Sequence, residues 1–299
     1  MKNALTIDLE DYHQVTAFAR NNGTAATNHV SRVERNAEKT LEMLARHNCK
    51  ATFFTVGSVA EEFPSLIRRV ADAGHELACH SYAHRQISLL TAEQFRDDTL
   101  RAKHAIEEAA GVPVRGYRAP SFSITSASSW AFGILTELGF DYDSSIFPIN
   151  HFNFRMKCAP RDPFVINTAC GALVEFPMTT LQLAGARAPI AGGAYLRVLP
   201  YRYTRWGIRY LNDREGRAAN VYLHPWELDP EQPRMKGTLS ARMRHYFGLR
   251  GAATKFDRLL HDFDFQTLRD WSAQIQTAIG QNEGAFLRMD AATLFSLTA

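Results

Sequence analysis

Short apolar runs alternate with longer stretches of helical periodicity over most of the 299-residue chain. ALTI (4–7) is apolar and stops at Asp8, the pattern of a buried strand that ends at a polar rim. SRVERNAEKTLEMLARHN (31–48) opens on a Ser31-x-x-Glu34 capping box and repeats Val33, Ala37, Leu41 and Leu44 along one face, which predicts a helix. KATFFTVG (50–57) predicts a second strand, SVAEEFPSLIRRVADAG (58–74) a helix closed by Gly74, and HELACH (75–80) a third strand. TAEQFRDDTLRAKHAIEEAAG (91–111) is a helix between a Thr91-x-x-Gln94 capping box and Gly111. VRGYRAP (114–120) is a short strand, and TSASSWAFGILTELG (125–139) a helix ending at Gly139. FDYDSSIFP (140–148), ALVEFPMTT (172–180) and NVYLHPWE (220–227) supply later strands.

Repeated strand–helix units predict an α/β fold with a parallel sheet, open or closed, and with its chemistry on the loops at the carboxyl ends of the strands. The polar residues fall at those ends. Asp8, Glu10 and Asp11 follow the first strand, His80 and His84 the third and Arg118 the next; Asp143 and His224 follow later ones. Residues 228–299 are more polar and irregular, and read as an appendage packed on a main domain of residues 1–227.

Composition narrows the class without naming a partner. With 45% hydrophobic residues the chain can bury a large core, and a formal net charge of +3 without any basic block gives no sign of nucleic-acid binding. Cys49, Cys79, Cys158 and Cys170 form no Cys-x-x-Cys pair, so buried free thiols are expected in place of a zinc ribbon or redox motif. MKNALTIDLEDYHQV lacks the apolar stretch of a signal peptide, and no transmembrane run follows, so a cytoplasmic location is expected.

His80 and His84, four residues apart, point to a metal only in company. Two neutral imidazoles plus one carboxylate make an open site for a divalent ion, with room for water and a substrate oxygen. Hydrolysis at such a site also needs a base for the water proton and an acid for the leaving group, for which Asp8 and His224 are the candidates.

The motifs IDLED, GHELACHSYAH, RAPS and YLHP, with FDYDSS between the last two, resemble in order those of the NodB-type polysaccharide deacetylases. The resemblance covers about residues 3 to 227, and implies a distorted (β/α) barrel of about seven parallel strands that removes acetyl groups from N- or O-acetylated sugars. It implies a divalent metal, with zinc expected and cobalt, nickel or manganese as alternatives, held by Glu10, His80 and His84. It makes Asp8 the catalytic base, His224 the general acid, and Arg118 the residue that keeps Asp8 ionised and oriented. Asp143 is the candidate for tuning His224, and the Ser121 backbone N–H for binding the oxyanion. Tyr195 and Trp226 are candidates for stacking on a sugar ring.

The chain departs from the family's usual adjacent aspartates with Asp8-Leu9-Glu10-Asp11, and from RPPYG with RAPSF. Strand alternation puts Asp8 and Glu10 on one face, which favours Glu10 as ligand with Asp11 as its rival. DLEDYH, RAPSFS, YDSSIFP, TRWGIRYLN and HPWELDP are most similar to deacetylases associated with exosortase-type exopolysaccharide loci, which carry an extension after the histidine motif. That likeness implies an exopolysaccharide, or a precursor of one, as the acetylated oligo- or polysaccharide substrate. An amidase opening a cyclic imide or allantoin-like ring, and an inactive carbohydrate-binding module, are the competing functions.

Overall fold

A parallel strand with helices outside and a packed interior needs apolar or satisfied residues on both faces. The first strand meets this need throughout: all seven residues from Asn3 to Leu9 are buried. The computed structural model describes residues 1–15, 30–151, 154–183, 185–190, 192–282, 284 and 286–297. In chain order its strands are β1 (Asn3–Leu9), β2 (Thr52–Thr55), β3 (Glu76–Cys79), β4 (Gly116–Tyr117), β5 (Tyr142–Asp143), β6 (Asn150–His151) and β7 (Phe154–Arg155). There follow β8 (Phe164–Thr168), β9 (Gly171–Glu175), β10 (Thr180–Leu183), β11 (Ala186–Pro189), β12 (Asn220–Leu223), β13 (Phe265–Gln266) and β14 (Arg288–Asp290).

Seven of them lie side by side in the order β12-β1-β2-β3-β4-β5-β9, and every neighbouring pair is parallel. The α/β class and strand number are those expected of the distorted barrel. The two ends of the run are linked by the side chain and amide of Asn220 at the start of β12. Its Nδ2 donates to the Phe176 carbonyl just past β9 at 3.1 Å, and its backbone N donates to Thr179 Oγ1 at 2.5 Å. Beyond β9 the sheet continues through antiparallel β8 to β14, while β6–β7 and β10–β11 form separate hairpins.

Local chemistry accounts for the helices, including two places where they differ from expectation. The helix Ala92–Ala110 has the Thr91–Gln94 capping box in full and ends on Gly111 in the left-handed region, at φ 71°. The single helix expected over 58–74 is two, Gly57–Glu62 and Pro64–Asp72, because Pro64 lacks an N–H and drives Phe63 out of helical geometry, to φ −125° and ψ 56°. The Ser31–Glu34 capping box does not form. Ser31 Oγ instead donates to Asp11 Oδ2 at 2.6 Å, and the helix runs from Val33 to Arg46. Of the four cysteines Cys49 and Cys79 are buried as expected, whereas Cys158 and Cys170 are exposed.

The interior at the amino ends of the strands is closed by residues from late in the chain. Ala4, Phe54, Ala78, Tyr142, Val174 and Phe176 form one apolar cluster with Leu268 and Ile275 of the helix Leu268–Gln281. The start of that helix is tied down by polar partners in the strands. The amide of Leu268 donates to Thr52 Oγ1 at 2.8 Å and that of Arg269 to Glu76 Oε2 at 2.8 Å, so a buried carboxyl faces the positive end of the helix dipole. Tyr142 Oη and Thr52 Oγ1 donate to the same carboxyl at 2.7 and 2.6 Å. A Cβ at Gly116 would sit 2.1 Å from the Tyr142 ring, so only glycine lets β4 approach this layer. The segment after residue 227 thus contributes β13, this closing helix and β14 to the main sheet.

Asp143 and Glu175 are both wholly buried on adjacent strands β5 and β9. Burial raises the pKa of each carboxyl, and the charge of Asp143 drives that of Glu175 well above the carboxylate range. The folded state therefore holds a proton that the unfolded chain releases at a lower pH, and stability falls as pH rises above the unfolded carboxyl pKa. Glu175→Gln keeps a donor toward Asp143 and an acceptor for the Ile146 amide while removing that titration. Its melting temperature, followed from pH 5 to 9, should fall less than that of the unmodified protein, so that the gap between them moves in the variant's favour as pH rises. A constant gap across the range would show that the pair does not share a proton.

Candidate active site

Asp8 lies at the end of β1 and Glu10 one residue beyond that strand, so both carboxylates leave the sheet at its carboxyl rim. His80 follows β3 directly, and His84 is delivered by a loop in which Ser81 and His84 adopt φ 65° and 52°. Backbone bonds from Gly57 N to Ser81 O at 2.9 Å and from Ser58 N to Tyr82 O at 3.0 Å hold this loop. Asp98 accepts from the Tyr82 amide at 2.7 Å. Left-handed backbone at non-glycine residues carries a local cost, so the surrounding contacts must fix the histidines where they are.

The ligating atoms of Glu10, His80 and His84 lie within 4.8 Å of one another. His84 Nε2 stands 2.6 Å from Glu10 Oε2, yet that oxygen makes no properly oriented hydrogen bond. His80 Nδ1 lies 2.8 Å from the carbonyl of Arg118, and as the donor there it leaves the Nε2 lone pair facing the cluster. Burial pushes the His80 pKa down to about 4, so it is a neutral imidazole at pH 7. Two imidazoles, one carboxylate and an unpartnered buried carboxylate oxygen fit a divalent cation. Asp11 is occupied elsewhere. It accepts from the Tyr12 amide, Ser31 Oγ and the Arg32 amide at 2.7, 2.6 and 2.9 Å.

Arg118 has no exposed surface, and its Nη1 donates to Asp8 Oδ1 at 2.6 Å and to Thr6 Oγ1 at 2.9 Å. Its Nη2 reaches Ser144 Oγ at 3.0 Å, and its guanidinium lies 4.1 Å from the centre of the Phe54 ring. With one Asp8 oxygen held this way, the other, Oδ2, points toward His224 Nε2 at 3.7 Å. His224 Nε2 is also 3.6 Å from Glu10 Oε1. The five side chains Asp8, Glu10, His80, His84 and His224 are thus brought to one rim.

Two expected residues stand elsewhere. Asp143 does not meet His224: it accepts from Ser145 Oγ and the Ser145 amide at 2.7 and 3.1 Å, beneath the rim beside Glu175. The carboxylate at His224 is Glu227, whose Oε2 lies 3.1 Å from His224 Nδ1 and accepts from the His224 amide at 3.1 Å. Burial works against charge on His224, but Glu10, Glu227 and Asp8 more than offset it and raise its pKa to about 9. Glu227 in turn pairs with buried Arg197 at 2.5 Å. Its signal in the sequence was His224-Pro225-Trp226-Glu227, a capping-box spacing with histidine in the place of serine or threonine.

Trp226 offers no face to a sugar, since it is 4% exposed and stacks on His224 at 5.2 Å and on His245 at 4.3 Å between ring centres. Its Nε1 instead donates to Glu10 Oε1 at 3.0 Å, which fixes the carboxylate of the cluster. Tyr195 is half-buried, edge-on to Phe147 at 6.2 Å. Gly192 and Gly193 just before it, at φ 99° and 46°, pass so close to Tyr222 that Cβ atoms there would lie 2.1 and 2.8 Å from that side chain. Ser121 and Phe122 take left-handed φ of 56° and 53°, so this turn after β4 is also held against its preference.

Residues 22–142 match the family model for polysaccharide deacetylase, and residues 144–273 match a domain of unknown function, DUF3473. Over residues 22–142 the chain is similar to the polysaccharide deacetylase family. That match takes in His80, His84 and Arg118, while His224, Glu227 and Arg197 fall in the second one and Asp8 and Glu10 precede both. A peptidoglycan-N-acetylglucosamine deacetylase of Bacillus cereus is 33% identical over 82 residues, which are 27% of this chain and 30% of that protein. A chitooligosaccharide deacetylase of Sinorhizobium fredii is 40% identical over 81 residues, 27% of this chain and 38% of its own length. The chain therefore spans between 30% and 38% of the length of these two curated relatives.

Two solved structures share the fold over nearly the whole chain. One is described as a polysaccharide deacetylase from Mycobacterium smegmatis, with TM-score 0.59, 23% identity and coverage of 92% of this chain and 90% of that one. The other, so described from Pseudomonas aeruginosa, has TM-score 0.60 at 16% identity, covering 90% and 89%.

Trp226→Phe keeps the ring stack but removes the donor to Glu10. Loss of a residue that orients a metal ligand typically weakens binding about 10- to 100-fold. Zinc titration against a chromophoric chelator should show a loss of that order, with the fold intact by circular dichroism. An unchanged affinity would mean that the indole N–H does not orient the ligand.

Proposed function

We propose that the protein is a metal-dependent hydrolase that removes N-acetyl groups from the sugars of an exopolysaccharide or its precursor. The observation that carries this reading is the gathering of Asp8, locked by Arg118, and His224 at one rim beside Glu10, His80 and His84. An amide is hydrolysed only if a nucleophilic water is deprotonated and the poor amine leaving group is protonated, and two such groups face the cluster here. The relatives named for N-acetylglucosamine and chitooligosaccharide support an N-acetylated sugar.

A divalent cation held by Glu10, His80 and His84 would supply polarisation of the acetyl carbonyl and a bound water of lowered pKa, with zinc the expected ion. The protein's own groups do the rest. Asp8 Oδ2 takes the water proton as the new C–O bond forms, while Arg118 keeps Oδ1 fixed and stabilises the carboxylate. The Ser121 amide is the donor to the oxyanion of the tetrahedral intermediate. His224 Nε2 then gives its proton to the sugar nitrogen as the C–N bond breaks, and acetate and a free amine leave. Glu227 at Nδ1 holds the imidazole for that transfer and stabilises its charged form. Tyr195 forms part of the wall against which the sugar rests.

Zinc-loaded protein should release acetate from N-acetylated oligosaccharides and leave cyclic imides untouched; the reverse selectivity would assign the site to imide hydrolysis. Asp8→Asn should retain the metal and lose about 10²- to 10⁴-fold in rate, the usual contribution of a general base. Metal loss in that variant, with metal kept in Glu10→Gln, would exchange the two carboxylate roles.

His224→Ala should slow amide substrates far more than activated aryl acetates, whose leaving groups need no proton. Equal losses on both substrate types, at full metal occupancy, would make His224 a substrate-positioning group and leave another group as the acid.

A further inference from the structure

The helix Leu239–Tyr246 buries Ala241 and His245, and presents Leu239, Met243 and, one residue past its end, Phe247 on a single outward row. At spacings of four these side chains are 73%, 59% and 58% exposed, the geometry of an apolar stripe with none of the described residues packed over it. The segment around the stripe is cationic. Arg234, Lys236, Arg242, Arg244 and Arg250 are exposed, and no carboxylate occurs between Glu231 and Asp257.

We propose that this face docks the protein on an anionic phospholipid surface. Aliphatic tips rimmed by cations match a lipid interface, where the tips enter the acyl boundary and the guanidinium and ammonium groups meet phosphate. A sugar chain would call for flat aromatic rings, and this row is two-thirds aliphatic. Either ingredient alone binds membranes weakly; the two together are the combination that gives stable peripheral attachment. No helix among the described residues is long and apolar enough to cross a membrane, so attachment here is by a surface helix.

The inner side of the same helix is rigidly joined to the candidate active site. His245 stacks on Trp226, and its Nε2 lies 2.6 Å from Gln232 Oε1. Arg197 donates to the carbonyls of Arg244, His245 and Phe247 at 3.1, 3.0 and 2.7 Å while pairing with Glu227. At Gly248, φ is 81° and a Cβ would lie 2.6 Å from the Arg197 carbonyl, so the turn closes only with glycine. Docking through the outer row therefore orients the site on the membrane as one rigid unit. On the proposed function, which this consequence rests on, the glycan reached first is one held at the bilayer.

The test is flotation of the zinc-loaded protein with vesicles of phosphatidylglycerol and phosphatidylcholine, compared with phosphatidylcholine alone. The protein should float with the anionic vesicles, less so as salt rises. Leu239→Ser/Met243→Ser/Phe247→Ser should weaken partitioning about tenfold or more, with unchanged melting temperature and unchanged acetate release from a soluble oligosaccharide. Lys236→Glu/Arg242→Glu should lose the preference for anionic vesicles, which separates charge from apolar insertion. Failure to float, or equal flotation of all three proteins, would overturn the proposal. So would a dimer in sedimentation that the triple variant converts to monomer, since a second copy would then cover the row. If flotation behaves as expected and no substrate releases acetate, the docking face stands and the deacetylase reading falls.

Discussion

A guanidinium buried inside a parallel sheet must be paired, because an unpaired buried charge costs several kcal/mol even after the surroundings relax. Arg118 is such a group, and much of the site follows from how it is satisfied. Its partners come from three stretches of chain: Thr6 and Asp8 on β1, Ser144 after β5, and Met178 after β9. Its own carbonyl receives His80 Nδ1. One side chain therefore sets the direction of the proposed base and its peptide group sets the tautomer of one proposed ligand. Neither can move without breaking the charge pair. The short strands β4 and β5, two residues each, make sense in this light: a ladder so brief fixes position only with the help of these side-chain bonds.

The opposite wall of the site is set by residues late in the chain. Trp226 bonds Glu10, Glu227 bonds His224, and both are backed by Arg197 and His245. Arg197 lies between two elements of chain that the strand alternation does not include, the helix Gly193–Val198 and the segment carrying Arg244 to Phe247. A second buried ion pair, Arg197 with Glu227, thus does for the proposed acid what Arg118 with Asp8 does for the proposed base. The carboxylates of Asp8 and Glu227 are each held by a buried arginine, whereas Glu10 is held by the Trp226 indole. The arginine's planar fork is what allows each to take several acceptors at once and still carry the charge that stabilises the pair.

Much of this was legible in the sequence, for reasons that can be named. Strand–helix alternation and the capping box at Thr91 are local signals, and the structure follows them. The spacing of His80 and His84 survives folding because both lie in one short loop. Period-two alternation put Glu10 on the face of Asp8, and in the structure Glu10 turns to the histidines while Asp11 binds Tyr12, Ser31 and Arg32. Non-local satisfaction was not legible. Ser31 had two possible partners, and the buried Asp11 carboxylate outcompeted the helix amide that a capping box requires. Asp143 stood at a strand end like the other rim residues, but Glu175 on the neighbouring strand, which no spacing reveals, drew it into a different pair. Trp226 looked like a sugar platform because aromatic residues near active sites often are; its indole N–H, which must find an acceptor once buried, was the better clue. Pro64 was a visible helix breaker within the run 58–74, and its effect is the ordinary one.

The charges at the rim explain why these supports are needed. Burial alone would raise the Glu10 pKa, but His84, His224 and His80 outweigh it and hold the carboxyl below its usual range. The same carboxylate raises His84 and contributes to the raised pKa of His224. Glu10 is thus the carboxylate to which all three histidines couple, and a cation there would displace the proton on His84 and compete with the attraction on His224. Glu227 lies outside that competition. It faces Nδ1, on the far side of the ring from Glu10, and its own pKa is held at about 2 because Arg197 and His224 overcome the effect of burial. Whatever binds at Glu10, the far nitrogen of His224 keeps an ionised partner, so the imidazole can stay protonated and oriented next to a cation that would otherwise repel it. An aspartate at position 143 cannot give that independence, because its charge is already shared with Glu175. Placing the carboxylate three residues after the histidine, in the same turn, makes the pair insensitive to small shifts between strands.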